Sequence, residues 1–308
     1  MKTPVVFIVF NRPKLTRLAF ERIREARPAK LLVVCDGPRP DRPEDRDKVA
    51  AVRRLIDDGV DWPCEVLKNY SDDNLGCRAR PASGINWAFS LLEEAIFIED
   101  DCLADPSFFT FCDEMLERFR DDERIMHING TNFIASHFRP ETSYFFSKYV
   151  WVWGWAAWRR TWRHYDYTMA SWDERLPALN GSFDSRREQA FWLSTFEEAR
   201  KDWHAAQAWD FPWIYTCWTR GGLAVVPAVN LVENLGFGPD ATHTNAVSSH
   251  LRMTAENLSV VRHPAQVRRS RLCDDRMFRA YAGEPLNART NLVGALRVLH
   301  RQIVERCG

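Results

Sequence analysis

The sequence predicts an α/β fold, with an open, mainly parallel sheet flanked by helices. Three observations predict it. Apolar, β-branched runs recur at Val5–Phe10, Leu31–Cys35 and Ala95–Ile98, as in strands covered on both faces. Segments with helical spacing alternate with those runs, which implies right-handed crossovers between parallel strands. Each run ends abruptly in polar residues: Asn11-Arg12, Asp36-Gly37 and Glu99-Asp100-Asp101.

"PVVFIVF" is read as the first strand, and "LTRLAFERIREA" as a helix with Leu15, Leu18 and Ile23 at helical spacing. "KLLVVCDG" is a second buried strand. The charged, Pro-rich "PRPDRPEDRD" is a loop, and "KVAAVRRLIDDG" is the next helix. "CEVLKNY" fits a third strand, "ASGINWAFSLLEEA" a helix, and "AIFIEDD" a fourth strand. Asp105 is expected to cap a helix with Pro106 at its first position, placing Phe108, Cys112, Met115 and Phe119 on one face.

A chain of 308 residues, 45% hydrophobic and 13% aromatic, can bury a large core. Its 42 basic and 42 acidic side chains cancel, so no global positive field recruits nucleic acid. Eight cysteines at 35, 64, 77, 102, 112, 217, 273 and 307 form neither C-x-x-C pairs nor zinc spacings. They read as reduced, mostly packed thiols of a cytoplasmic protein. The run Val5–Phe10 is too short to span a membrane and lacks a signal-cleavage pattern.

In open α/β sheets, ligands bind outside the carboxyl ends of the strands. Three consecutive acids there repel one another unless a cation neutralises them, and hard ions such as Mg²⁺ or Mn²⁺ favour carboxylates shared with phosphate oxygens. The competing reading is a helix cap or a solvated acidic run. Neither G-x-G-x-x-G after the first strand nor G-x-x-x-x-G-K-[ST] occurs, so a nucleotide would be held without a glycine cradle. Arg12 suits a phosphate or base, and Asp36 a ribose hydroxyl or base N–H. Taken singly, a surface ion pair and a turn residue explain them as well.

"NRP", "CDGPR", "NLGCR", "GINWAF" and "FIEDDCLADPSFFTFC" together resemble the GT-A-fold nucleotide-diphospho-sugar transferases. More closely, they resemble bacterial relatives of the β-1,2-N-acetylglucosaminyltransferase I family, over roughly residues 4–245. The resemblance implies a Rossmann-like GT-A sheet that binds a UDP- or dTDP-sugar through Mn²⁺ or Mg²⁺. Asp101 would be the direct metal ligand. Asn11, Arg12, Asp36, Arg80, Glu99 and Asp100 would hold the donor, and Trp155 of Gly154-Trp155 would lie beside its sugar.

"YVWVWGWAAWRRTWRHYD" carries five tryptophans, able to stack on sugar rings or to fill the core, and at least half are expected in the core. By the same resemblance Asp210 of "WDFPW" is the general base, although the family carries two acids where Phe211 and Pro212 follow here. A helix N-cap is the competing role. Glu188 and Asp184 are weaker candidates. In "VENLGFGPDATHT", Asn234 and His243 are further candidates, His243 as a metal ligand.

The expected organisation is a catalytic domain over 1–249, divided into a nucleotide-binding half (1–125) and an acceptor half (126–249), with a helical extension over 250–308. The basic residues of that extension suit either an ordinary solvated helix face or peripheral contact with anionic lipid at the inner membrane face. The expected activity is inverting transfer of a sugar from a nucleotide-sugar donor to a carbohydrate or lipid-linked glycan acceptor in surface glycan synthesis. A sugar-1-phosphate nucleotidyltransferase would normally carry a G-x-G-x-R loop that "FNRPKLTRL" lacks. A carbohydrate-binding module would leave the three polar strand ends unexplained.

Overall fold

The structure, a computed structural model, describes residues 1–201, 208–236, 251 and 253–283. Its centre is an eight-stranded sheet in the order β3-β2-β1-β4-β8-β6-β9-β7. The strands are β1 (Val5–Val9), β2 (Lys30–Cys35), β3 (Glu65–Tyr70), β4 (Glu94–Glu99), β6 (Ile125–Asn129), β7 (Tyr144–Ser147), β8 (Trp155–Trp158) and β9 (Leu223–Pro227). Pairing is parallel along β3-β2-β1-β4 and between β6 and β9. It is antiparallel where β8 meets β4 and β6, and where β7 meets β9. Only β7 and β8 therefore run against the other six.

The strand period of two sorts the apolar residues into two cores. Val6, Ile8, Leu32, Val34, Ala95 and Phe97 face one side, and Val5, Phe7, Val9, Leu31, Val33, Ile96 and Ile98 the other. Helices α1 (Pro13–Ala26), α2 (Glu44–Gly59) and α4 (Pro106–Arg118) close the second side. On α1 the buried stripe is Thr16, Ala19, Phe20 and Ile23, while Leu18 is 47% exposed, so the inward face is rotated from the Leu15–Leu18–Ile23 reading. Asp105 caps α4 by accepting from the Ser107 N–H at 2.9 Å, and Phe108, Cys112, Met115 and Phe119 are buried together.

Helix α3 (Gly76–Leu91) covers the first side and begins six residues before the expected Ala82, running through Pro81. Gly84 lets it approach β2, because a Cβ there would meet a Val34 methyl at 2.4 Å. The same side is closed by α6 (Trp172–Gly181), α7 (Arg186–Lys201), α8 (Asp210–Thr219) and α9 (Arg271–Tyr281), with the single turn α5 (Arg159–Trp162) between β8 and α6. Residues 253–283 are thus not an appendage: Cys273, Met277 and Phe278 of α9 belong to the main core. The last strands, β5 (Cys102–Ala104) and β10 (Val232–Asn234), form a small antiparallel pair.

Candidate active site

Strand register brings the polar strand ends together. Val9 of β1 lies opposite Cys35 of β2, and Ile8 opposite Glu99 of β4. Residues 10–12, 36–39 and 99–101 therefore emerge level at one sheet edge. With the start of α3 they enclose a cavity of about 280 Å³ lined by Arg12, Asp36, Arg80, Glu99, Asp100 and Asp101. Arg39, Asn74, Gly76, Cys77 and Pro81 also line it, and the sequence reading had assigned them no role. The signal for Arg39 was its place in "CDGPR", directly after a polar strand end.

Arg12 is shared between two carboxylates. Its guanidinium donates to Asp100 Oδ1 and, at 2.9 Å, to Asp101 Oδ2. The Phe10 N–H donates to the other oxygen of Asp100 at 3.2 Å. Burial opposes charge on Arg12, but Asp100 and Asp101 outweigh it and hold its pKa above the ordinary value. Burial pushes the Asp100 carboxyl up despite Arg12. Glu99, half-buried and crowded by Asp101 and Asp100, is pushed up to about 8, with burial the largest cause.

Asp36 has its acceptors filled from within. Oδ1 accepts from the Gly37 and Leu75 N–H groups at 3.0 and 2.9 Å, and Oδ2 from Gly76 N–H at 2.9 Å and Asn74 Nδ2 at 3.1 Å. It clamps the 74–76 turn that starts α3, satisfying helix N–H groups that have no intrahelical partner. Burial still raises its pKa. Arg39 is aimed by Asp45, a fully buried carboxylate that it grips at 2.6 and 3.1 Å. Arg80 donates to the backbone and side-chain oxygens of Asn69.

Two of the residues expected to hold the donor are engaged within the protein. Asn11 donates to Asp45 at 2.6 Å and does not line the cavity. Trp155 is 1% exposed, stacked on Phe97 at 4.2 Å and on His127 at 5.0 Å. It opens β8, between β4 and β6, where both sheet faces are covered, so it belongs to the core. Trp151, Trp158 and Trp162 are buried as well.

Asp210 starts α8, and its charge is felt by Glu99 and by Tyr165. Burial raises its pKa. Its charge thus reaches the acidic strand end, whereas the other two base candidates are engaged elsewhere. Glu188 pairs with buried Lys148 at 2.6 Å and accepts from the Tyr149 hydroxyl, and Asp184 is gripped by Arg269.

The β5–β10 pair carries Asn234 opposite Cys102. Leu235 N–H then donates to the Asp101 carbonyl at 2.7 Å, and Gly236 N–H to Asn234 Oδ1 at 2.7 Å. Asn234 consequently shapes the turn beside Asp101. His243 lies outside the described residues.

Among the described residues no three His, Cys, Asp or Glu side chains converge as a metal cage. The acids nevertheless fit a cation shared with a ligand. Glu99, Asp100 and Asp101 act on the Arg12 guanidinium, and Asp210 acts on Glu99. Asp101, with Asp100 behind it, could hold a hard divalent ion whose other ligands are substrate oxygens. Among the described residues no helix is long and apolar enough to cross a membrane. Of the described cysteines, Cys35, Cys102, Cys112, Cys217 and Cys273 are buried.

No family model matches the sequence, and no curated protein matches it. Among solved structures the chain is similar to TarS 1–349 of S. aureus, at 11% identity and a TM-score of 0.39, over 75% of this chain and 59% of that one. It thus spans about three-fifths of that chain's length. It is similar to 4-diphosphocytidyl-2C-methyl-D-erythritolsynthase from Anaerococcus prevotii DSM 20548, at 9% identity and a TM-score of 0.31, over 60% of this chain and 80% of that one. A third likeness is to UDP-glucose pyrophosphorylase complexed with UDP-glucose, at 11% identity and a TM-score of 0.25, over 43% and 64% of the two chains. These are likenesses of fold.

Proposed function

We propose that the chain is a metal-dependent, inverting glycosyltransferase that moves a sugar from a UDP- or dTDP-sugar to a hydroxyl of a carbohydrate or lipid-linked acceptor. The observation that carries this reading is the meeting of Arg12, Asp100 and Asp101 at one cavity, with the charge of Asp210 reaching Glu99 of the same strand end.

In this reading the donor lies along the cavity, its diphosphate towards Arg12 and Asp101 and its nucleoside towards Arg39 and Arg80. Asp36 acts by fixing the turn at the start of α3, not by touching the nucleoside. Mn²⁺ or Mg²⁺ on Asp101, when bound, would offset charge on the diphosphate. Asp210 orients the acceptor hydroxyl and accepts its proton while the acceptor oxygen bonds to the anomeric carbon and the bond to the diphosphate breaks. Burial raises the Asp210 pKa, which strengthens it as an acceptor of the hydroxyl proton.

The test is a thermal-shift panel of nucleotides and nucleotide sugars with and without Mn²⁺, because a ligand of the native state raises apparent stability by mass action. A shift with one nucleoside diphosphate only when metal is present, lost in Asp101→Asn, is expected. Preference for a triphosphate, with release of pyrophosphate on adding a sugar phosphate, would assign nucleotidyl transfer instead. No shift with any nucleotide would overturn both.

A further inference from the structure

The far end of α8 carries a second polar cavity, of about 140 Å³, lined by His164, Asp166, Ser171, Arg175, Thr219 and Arg220 among others. Its lining residues on α8 are Tyr215, Thr216 and Thr219, roughly 8 to 14 Å along the helix from Asp210 at 1.5 Å per residue. By volume it holds about four or five waters, or one tetrahedral oxyanion.

The hydrogen bonds around it determine what it can bind. Ser171 Oγ donates to Asp166 at 2.6 Å, and the Tyr215 hydroxyl donates to Ser171 Oγ at 3.1 Å. Thr216 donates to the Pro212 carbonyl, and Thr219 to the Tyr215 carbonyl. Asp166 is filled by the Ala170 and Ser171 N–H groups and the Ser171 hydroxyl. The hydroxyl protons are thus committed inside the protein. His164 Nε2 accepts from Arg163 at 3.3 Å, which leaves the ring proton on Nδ1. The donors left over are that N–H and the guanidinium groups of Arg175 and Arg220.

These cations are not spent on the end of α8. The last carbonyls of α8 are already met, Cys217 by Arg220 N–H and Gly222 N–H, and Trp218 by Gly221 N–H. Among the described residues no carboxylate lies within ion-pair distance of Arg163 or Arg220, and Arg175 meets only its exposed neighbour Glu174 at 3.2 Å. Nearby arginines in "WRRTWRHY" contrast with them. Arg159 pairs with Glu93, and Arg160 donates to the carbonyls of Phe119, Arg120, Asp122 and Ile125. Burial first, and then Arg220, Arg163 and Arg175, lower the His164 pKa.

We propose that His164, Arg175 and Arg220 form a binding site for a phosphate group, separate from the cavity at the strand ends and independent of the glycosyltransferase reading. A ligand that only accepts hydrogen bonds matches a pocket whose free groups only donate, and guanidinium–phosphate pairs are among the stronger charge-assisted contacts. The phosphate could belong to a soluble ester or to a lipid headgroup, which share this chemistry.

The experiment titrates the full chain with inorganic phosphate in a chloride buffer while following the His164 imidazole by NMR. A second arm measures binding to phosphatidylcholine vesicles with and without phosphatidic acid. Wild type and the Arg175→Gln/Arg220→Gln variant are compared. A saturable His164 shift with phosphate, weakened roughly tenfold or more in the variant, is expected. Added dependence of vesicle binding on phosphatidic acid, lost in the variant, would assign the lipid source, and its absence the soluble one. A His164 signal that stays unmoved by phosphate, with vesicle binding equal in both proteins, would overturn the site.

Discussion

The Gly236 backbone rests against the Asp101 carboxylate so closely that a Cβ on Gly236 would come within 2.4 Å of Asp101 Oδ2. The contact depends on β10 pairing with β5, which carries the 234–236 turn onto the acidic strand end. A side chain at 236 would displace the group proposed to hold the cation. Gly236→Ala is expected to weaken metal-dependent nucleotide binding at least about tenfold and to cost about 1–3 kcal/mol of stability without ligand, as a forced shift in a half-buried, packed turn does. Calorimetric titration with Mn²⁺ present, alongside urea unfolding, checks both. Unchanged affinity would show that Asp101 can yield without loss.

Asp36 invites a different test, because its acceptors serve the protein itself. Asp36→Ala leaves the Leu75 and Gly76 N–H groups without their acceptor, while Asn74 keeps the Gly37 carbonyl at 2.8 Å. It is expected to cost about 2–3 kcal/mol in urea unfolding with no nucleotide present. A residue whose task was only to touch ligand would show no such loss.

Asp210 is expected to matter for turnover and not for donor binding. Asp210→Asn should bind the nucleotide sugar within about twofold of wild type and lose about 100-fold or more in transfer, the usual worth of a general base. Transfer at the wild-type rate would reassign the proton acceptor.

His127 couples stability to pH. It is 0% exposed, its Nε2 donating to the Trp151 carbonyl at 3.0 Å and its Nδ1 accepting from the Trp213 indole at 3.1 Å. Burial pushes its pKa down to about 3 from 6.5. Between those values the unfolded chain takes up a proton that the folded imidazole refuses. Stability from this group is therefore complete above pH 6.5 and declines as pH falls towards 3. The slope is about 1.4 kcal/mol per pH unit, up to about 5 kcal/mol in all. Urea unfolding of wild type and His127→Gln from pH 7 to pH 5 should show the steeper decline in wild type. Parallel curves would mean that His127 is protonated in the native state.

By itself, the sequence determined the strand–helix alternation of the first 118 residues, the inward face of α4 and the level emergence of Arg12, Asp36 and Glu99–Asp101. Those features follow from local periodicity and from the rule that parallel strands present their carboxyl ends at one edge. Only the tertiary structure decided the rest. Whether Asp36 meets a ligand or its own backbone depends on a turn 38 to 40 residues away. Trp155 became a core residue because antiparallel β8 inserts between β4 and β6, a pairing that residue type and motif do not encode. The arginines of "WRRTWRHY" look alike in sequence. What separates Arg160, spent on four carbonyls, from Arg163 is which helix ends come to lie beside each, and that is settled by packing between segments distant along the chain.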